Sequence, residues 1–239
     1  KLSALNSKHP KLIQNPSRRA MIQSALERRE AIASANGALS TWTPPESTGR
    51  SPKDTYMVQH RESEGHIDCA LECQRHAWLT QFHMLVDDAV RVLSQKDQLY
   101  VMDRVVGADS SYALPVRTIS YWASTALFVD NMFRPVPDDL ARSIFADRGV
   151  TVLVLPYDKL DPARYRGRLR ELVDGQTSTM AVAMDFDRRT IVVYGSAYGG
   201  SVKKAVFCTM NYLLPFEGIL PLHSSANEGP KGDCALLLG

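Results

Sequence analysis

Apolar residues return every three or four positions in four stretches of this chain, the mark of helices with one buried face. The clearest covers residues 75–94, where Trp78, Phe82, Leu85, Val86, Ala89, Val90 and Leu93 share a side. A second starts at Ser17, a residue type that caps helices, and is expected to reach about Asn36, with Met21, Ala25 and Leu26 inward and Gly37 as the stop. Tyr121 to Met132 makes a third, ahead of Arg134-Pro135. The fourth opens at Gly199-Gly200-Ser201 and ends near Leu214, with Val202, Ala205, Val206, Thr209, Met210 and Leu213 facing inward.

Short apolar runs between these helices suit strands: Ala38–Thr43, Tyr56–Val58, Leu99–Met102, Val116–Ile119 and Val150–Leu155. Thr179–Phe186 and Thr190–Tyr194 flank Asp187-Arg188-Arg189 and predict a hairpin. Residues 1–16 are polar and predict an irregular arm, and the proline- and glycine-rich residues 44–54 predict a loop. A last apolar run, Cys234–Leu238, reads as a buried strand that meets Gly239. Strands mixed with helices predict an α/β (α+β) fold built on a mixed sheet with helices packed on it.

Composition then narrows the function classes. Apolar residues make up 44% of the 239 positions and charged residues 23%, enough for one large domain or two small ones. A net charge of +2 carries no basic field, so neither nucleic acid nor an anionic membrane is an expected partner. No apolar run approaches the ~20 residues of a membrane helix, and the first residues lack an apolar signal core. Four cysteines do not make a disulfide scaffold, so a cytoplasmic protein, monomeric or a small homo-oligomer, is expected.

His66, Cys69, Cys73 and His76 invite a zinc reading. On one continuous helix they would form a stripe ~15 Å long at 1.5 Å per residue, too long for four ligands to meet one ion. At most a neighbouring pair could chelate. Cys208 and Cys234 fall within apolar patterns and are expected in the core.

The fourth helix and the segment after it carry the candidate chemistry. Adjacent glycines at a helix N-terminus let backbone N–H groups approach an anion, although by themselves they are a weak signal and a flexible entry turn is the plainer reading. Lys203 and Lys204 are expected in the first turn, where the helix dipole, like charge and burial would all lower a lysine pKa. A neutral amine can bind a divalent cation. His223 follows the apolar run Gly218–Leu222, at what reads as a strand end, and its neighbours Ser224, Ser225, Asn227 and Gly229 are small and polar. A neutral imidazole beside a neutral amine suits Mn²⁺ or a similar ion. Arg50 sits in a loop stiffened by Pro52, where its guanidinium could grip a carboxylate or simply face solvent.

Together these segments resemble the N-terminal half of ATP-dependent phosphoenolpyruvate carboxykinase, from about Asn15 to Gly239. The resemblance is carried by T-G-R-S-P-K-D at 48–54, L-Y-V at 99–101, G-A-D at 107–109, N-M-F at 131–133, Y-G-G-S-V-K-K at 198–204, M-N-Y-L-L-P at 210–215 and H-S-S-A-N-E-G at 223–229. It implies a reaction in which oxaloacetate and ATP give phosphoenolpyruvate, CO2 and ADP. It further implies that Arg50 binds the substrate carboxylate and departing CO2, that Tyr198 contacts substrate or CO2 with the Gly200 amide nearby, and that Lys204 and His223 hold Mn²⁺ (or Mg²⁺). His223 would then lie near an ATP phosphate, and Gly239 would be the first glycine of a phosphate loop.

The resemblance also implies a substrate-binding domain over residues 1–222 and the start of a nucleotide-binding domain at 223–239, so that most ATP contacts and full turnover belong to a longer enzyme. The sequence departs from the family pattern at Asp68–Gln74, at Ser178-Thr179-Met180, and within Y-G-G-S-V-K-K and L-H-S-S-A-N-E-G. None of these departures removes Arg50, Tyr198, Lys204 or His223. A different reading of the same residues is a non-catalytic relative that binds an anion or a protein partner through the same cleft.

Overall fold

The structure, a computed structural model, describes residues 11–60, 63–67, 75–77 and 79–238. Strands β1 (Leu12–Gln14), β4 (Thr55–Val58), β5 (Arg75–Ala77), β6 (Leu99–Val106), β7 (Leu114–Ser120), β8 (Val150–Leu155), β9 (Ala181–Asp185) and β10 (Thr190–Tyr194) build one sheet. Its order is β1-β6-β7-β8-β10-β9-β4-β5, with antiparallel β6–β7 and β9–β10 pairs and parallel neighbours elsewhere. The predicted hairpin is the β9–β10 pair, joined in register from Thr190 opposite Asp185 to Tyr194 opposite Ala181.

Because side chains alternate along a strand, the continuous apolar runs supply two cores at once. On one face Val152, Val154, Val182, Met184, Ile191 and Val193 meet helices α1 (Arg18–Glu27), α3 (Ala123–Met132) and α4 (Gly199–Leu213). On the other, Leu153, Leu155, Ala183, Val192 and Tyr194 meet α2 (Leu79–Leu93) through Phe82, Leu85, Ala89 and Leu93. The result is a three-layer α/β/α arrangement around a mixed sheet.

Several boundaries differ from the sequence expectation. Helix α1 is capped by Ser17 Oγ, which accepts from the Ala20 N–H, but it stops at Glu27 rather than near Asn36. Arg29 takes a left-handed φ of 57°, and the following residues form a small hairpin of β2 (Ala31–Ala33) and β3 (Leu39–Thr41). Gly37, expected to end the helix, instead sits at φ 83° in that hairpin's turn. The arm contains the edge strand β1, and residues 75–77 pair with β4 instead of opening α2.

The last two strands, β11 (Ser224–Glu228) and β12 (Cys234–Leu238), pair only with each other. Cys234–Leu238 is therefore a strand but not a buried one. Leu236, Leu237 and Leu238 are exposed, and Cys234 is exposed with them, because among the described residues nothing covers either face of the hairpin. Cys208 is half-buried against the α4-side core rather than fully inside it.

Candidate active site

The strand order brings three chain segments to one end of the sheet. Thr55 at the start of β4 pairs with Val182 near the start of β9, and Ala181 pairs with Tyr194 at the end of β10. The loop carrying Arg50 enters β4 at this end, and the segment leaving β10 turns into α4 here. Between them lies a cleft of about 140 Å³ lined by Arg50, Pro52, Thr55, Ser201, Lys204 and Cys208.

The Arg50 loop is fixed from below. Asp54 is buried, and its two carboxylate oxygens accept from Nε and Nη2 of Arg170, each at 3.0 Å. The Arg170 backbone N–H donates to the Tyr56 hydroxyl at 2.8 Å, and the Thr55 hydroxyl donates to the Ser51 carbonyl. A two-pronged ion pair out of solvent holds geometry better than a single bond. The loop that presents the exposed Arg50 is thereby tied to the chain just ahead of β9.

Helix α4 positions the other side. Val202, Ala205, Val206, Met210 and Leu213 bury its lower face, which turns Ser201, Lys204 and Cys208 toward the cleft at the three- and four-residue steps of one helical side. Each of the two glycines at its start lies against an aromatic ring. A Cβ on Gly199 would lie 2.7 Å from the Phe128 ring, and one on Gly200 would lie 2.2 Å from the Tyr198 ring. Tyr198, the residue before the helix, therefore folds its ring back over Gly200 while remaining partly exposed. Ser201 Oγ and Ser196 Oγ share a 2.9 Å hydrogen bond that holds the turn.

Because α4 begins at Gly199, Lys203 and Lys204 occupy its second turn and not its first. The helix dipole acts mainly within the first turn, so it is a minor influence on either amine. Lys204 Nζ lies 2.8 Å from Nε2 of His223, which directly precedes β11, since residues 219–223 form no strand. The Phe207 ring braces both groups, 5.1 Å from Nζ and 5.5 Å from the imidazole. The Lys204 pKa is lowered, first by lost hydration and then by the charges of Lys203 and Arg50, with Cys208 opposing. The His223 pKa is also lowered, first by the Lys204 charge and then by lost hydration, Lys203 and Arg50. The Lys204 charge thus favours a neutral imidazole, and burial with neighbouring cations draws the amine the same way, beside the cleft that Arg50 lines.

The family profile for phosphoenolpyruvate carboxykinase matches residues 10–239. The chain belongs to this family. Among relatives named phosphoenolpyruvate carboxykinase (ATP), it is 37% identical over 220 residues to the protein of Geobacillus thermodenitrificans, which covers 92% of this chain and 39% of the relative. The Mesorhizobium japonicum protein is 36% identical over 221 residues, covering 92% of this chain and 38% of the relative. A Moorella thermoacetica protein is 37% identical over 220 residues, with 92% and 39% covered. The chain therefore spans about 39% of the length of such relatives.

Within this chain the structure brings Arg50 and Lys204 to one cleft, joins Lys204 to His223, and stacks Tyr198 on Gly200. Gly239, Cys69 and Cys73 lie outside the described residues, and His76 is described by its backbone alone. His66 is engaged elsewhere, edge-on to Phe216 at 5.1 Å. Sequence reading missed Asp54, Arg170 and the cleft-lining Ser201 and Cys208. The P-K-D turn and the i−3 and i+4 spacing of Ser201 and Cys208 from Lys204 could have suggested all but Arg170, whose partner is 116 residues away. No described helix is long and apolar enough to cross a membrane.

Proposed function

We propose that this chain supplies the oxaloacetate- and metal-binding side of an ATP-dependent phosphoenolpyruvate carboxykinase acting in the cytoplasm. The reading rests above all on the 2.8 Å approach of Lys204 Nζ and His223 Nε2 beside the cleft that Arg50 lines. Two nitrogens held toward neutrality fit a divalent ion of the Mn²⁺ kind, which a pair of cations would repel. When bound, that ion would supply positive charge where negative charge develops on a substrate oxygen.

In the proposed reaction the oxaloacetate carbon–carbon bond to one carboxylate breaks and releases CO2. The resulting enolate oxygen takes the γ-phosphoryl group of ATP, giving phosphoenolpyruvate and ADP. Arg50 holds the carboxylate through its planar fork, with the Asp54–Arg170 pair keeping its loop in place. Tyr198 would contact substrate or CO2, with the Gly200 amide, in a helix turn whose N–H groups lack helical acceptors, beside it. Lys204 and His223 would hold the ion through their neutral nitrogens, with the Lys204 proton released on binding. Such transfer depends on positioning and charge neutralisation more than on covalent help from the protein. ATP contacts we assign mainly to groups beyond the described residues, with His223 nearest the phosphates and the hairpin from residue 223 onward as part of that nucleotide side.

Mn²⁺ and oxaloacetate binding to the chain tests the reading. Lys204→Ala should abolish saturable Mn²⁺ binding at this site, and Arg50→Gln should weaken oxaloacetate binding with Mn²⁺ binding kept. Unchanged binding in both variants would sink it and favour an anion- or protein-binding relative instead.

A further inference from the structure

At the opposite end of the same strands a second group of potential ligands comes together. Arg50 precedes the start of β4, whereas His60 follows its end. Met57 pairs with Met184, so the chain leaving β4 runs beside Asp185 at the end of β9 and Asp187 in the following turn. His60 Nε2 lies 2.9 Å from Asp185 Oδ1 and 3.7 Å from Asp187 Oδ2. One ligand atom from each of the three falls within 4.8 Å of the others.

Asp185 makes this more than a chance meeting of surface charges. Its side chain is 0% exposed, yet Oδ2 has no hydrogen-bond partner among the described residues. Oδ1 accepts from the Arg188 backbone N–H at 2.9 Å as well as meeting His60. The Arg188 guanidinium comes no nearer to Oδ2 than 3.9 Å, and its Nη1 contacts His83 Nε2 instead. A buried carboxylate with one oxygen unsatisfied carries a desolvation cost that a nearby cation would offset. Ser63, itself buried, fixes the turn after His60 by accepting from the His60 N–H and donating to its carbonyl. Asp187 is one-third exposed and gives an ion a way in.

We propose that His60, Asp185 and Asp187 form a divalent-cation site separate from the Lys204–His223 pair. Ligands at ~2.1 Å from an ion stand ~3.0 Å apart at right angles and ~3.5 Å apart in a tetrahedron, so the 2.9 and 3.7 Å separations seen need only small side-chain adjustments. One imidazole nitrogen with two carboxylates suits Mn²⁺ or Zn²⁺ better than Ca²⁺ or Mg²⁺, which prefer all-oxygen shells. His60 would bind through neutral Nε2 in place of its hydrogen bond to Asp185.

Mn²⁺ titration followed by electron paramagnetic resonance separates the two sites. The wild-type chain should take up two equivalents, and a Lys204→Ala/His223→Ala background should keep one. Adding Asp187→Asn or His60→Gln to that background should weaken the remaining equivalent at least tenfold. If the background binds no Mn²⁺, or if both added substitutions leave its affinity unchanged, the site does not exist. Should His60→Gln fail to fold, the surface change Asp187→Asn alone decides.

Discussion

Lys204 Nζ and His223 Nε2 stand 2.8 Å apart, although 19 residues separate them in the chain. At that distance the two nitrogens cannot both point a proton at each other without direct repulsion, and the charges of Lys203 and Arg50 add to the pressure toward neutrality. The pair is reached by two different routes: one nitrogen from a helix locked on the sheet, the other from the segment entering a separate hairpin.

Replacing Lys204 separates charge from coordination. Lys204→Arg keeps a cation but offers no lone pair, because guanidinium does not deprotonate near neutral pH. Lys204→Ala and Lys204→Arg should therefore both lower Mn²⁺ affinity by roughly 100-fold or more, at or beyond the upper end of losses seen for outer-shell partners of metal sites. Thermal midpoints should change little, since the side chain is largely solvated. Calorimetric titration checks the first point and thermal unfolding the second.

Mn²⁺ binding should strengthen with pH. His223 has a lowered pKa and is neutral at pH 7, so it adds no slope there. Lys204, its pKa lowered from the ordinary 10.5, offers a lone pair only once its amine has lost its proton. Affinity is expected to rise by about one decade per pH unit until the lowered Lys204 pKa is passed, then level off before pH 10.5. An affinity that rises at no point up to pH 10.5 would contradict the neutral-amine assignment.

The two glycines opening α4 should respond differently to alanine. At Gly199 the added Cβ meets the Phe128 ring packed on the helix, and such overpacking costs about 1–3 kcal/mol. Gly200→Ala instead meets the partly exposed Tyr198 ring, which can swing away. Gly199→Ala is expected to lower the thermal midpoint. Gly200→Ala should leave it near wild type while weakening oxaloacetate binding, measured by equilibrium titration.

Arg170→Met tests the support of the Arg50 loop. It strands the buried Asp54 carboxylate, which should cost about 2–4 kcal/mol, toward the lower end because Arg170 reaches solvent. Asp54→Asn combined with Arg170→Met should recover part of that loss, because no uncompensated charge remains. Denaturant unfolding of both variants gives the comparison, and oxaloacetate affinity should fall in each as Arg50 loses its fixed position.

Local pattern was enough to place most elements. The 3.6-residue period found α2, α3 and α4, and apolar runs found β8 and the β9–β10 hairpin. Both signals depend on which face of an element is buried, and that is written in neighbouring residues. The pattern failed after Glu27, where polar residues could continue a helix and a left-handed Arg29 ended it. It failed again at Cys234–Leu238, where apolar character marked a strand but not whether anything covers it.

The sequence by itself determined the alternating cores, the glycine-led entry into α4, the residue types at the cleft and, through its motifs, membership of the phosphoenolpyruvate carboxykinase family. Only the tertiary structure decided that Lys204 and His223 touch, that Asp54 anchors the Arg50 loop through Arg170, and that His60 faces Asp185. Those contacts join positions 19, 116 and 125 residues apart. Periodicity describes how a segment meets its surroundings, whereas strand order and register choose which distant side chains become those surroundings.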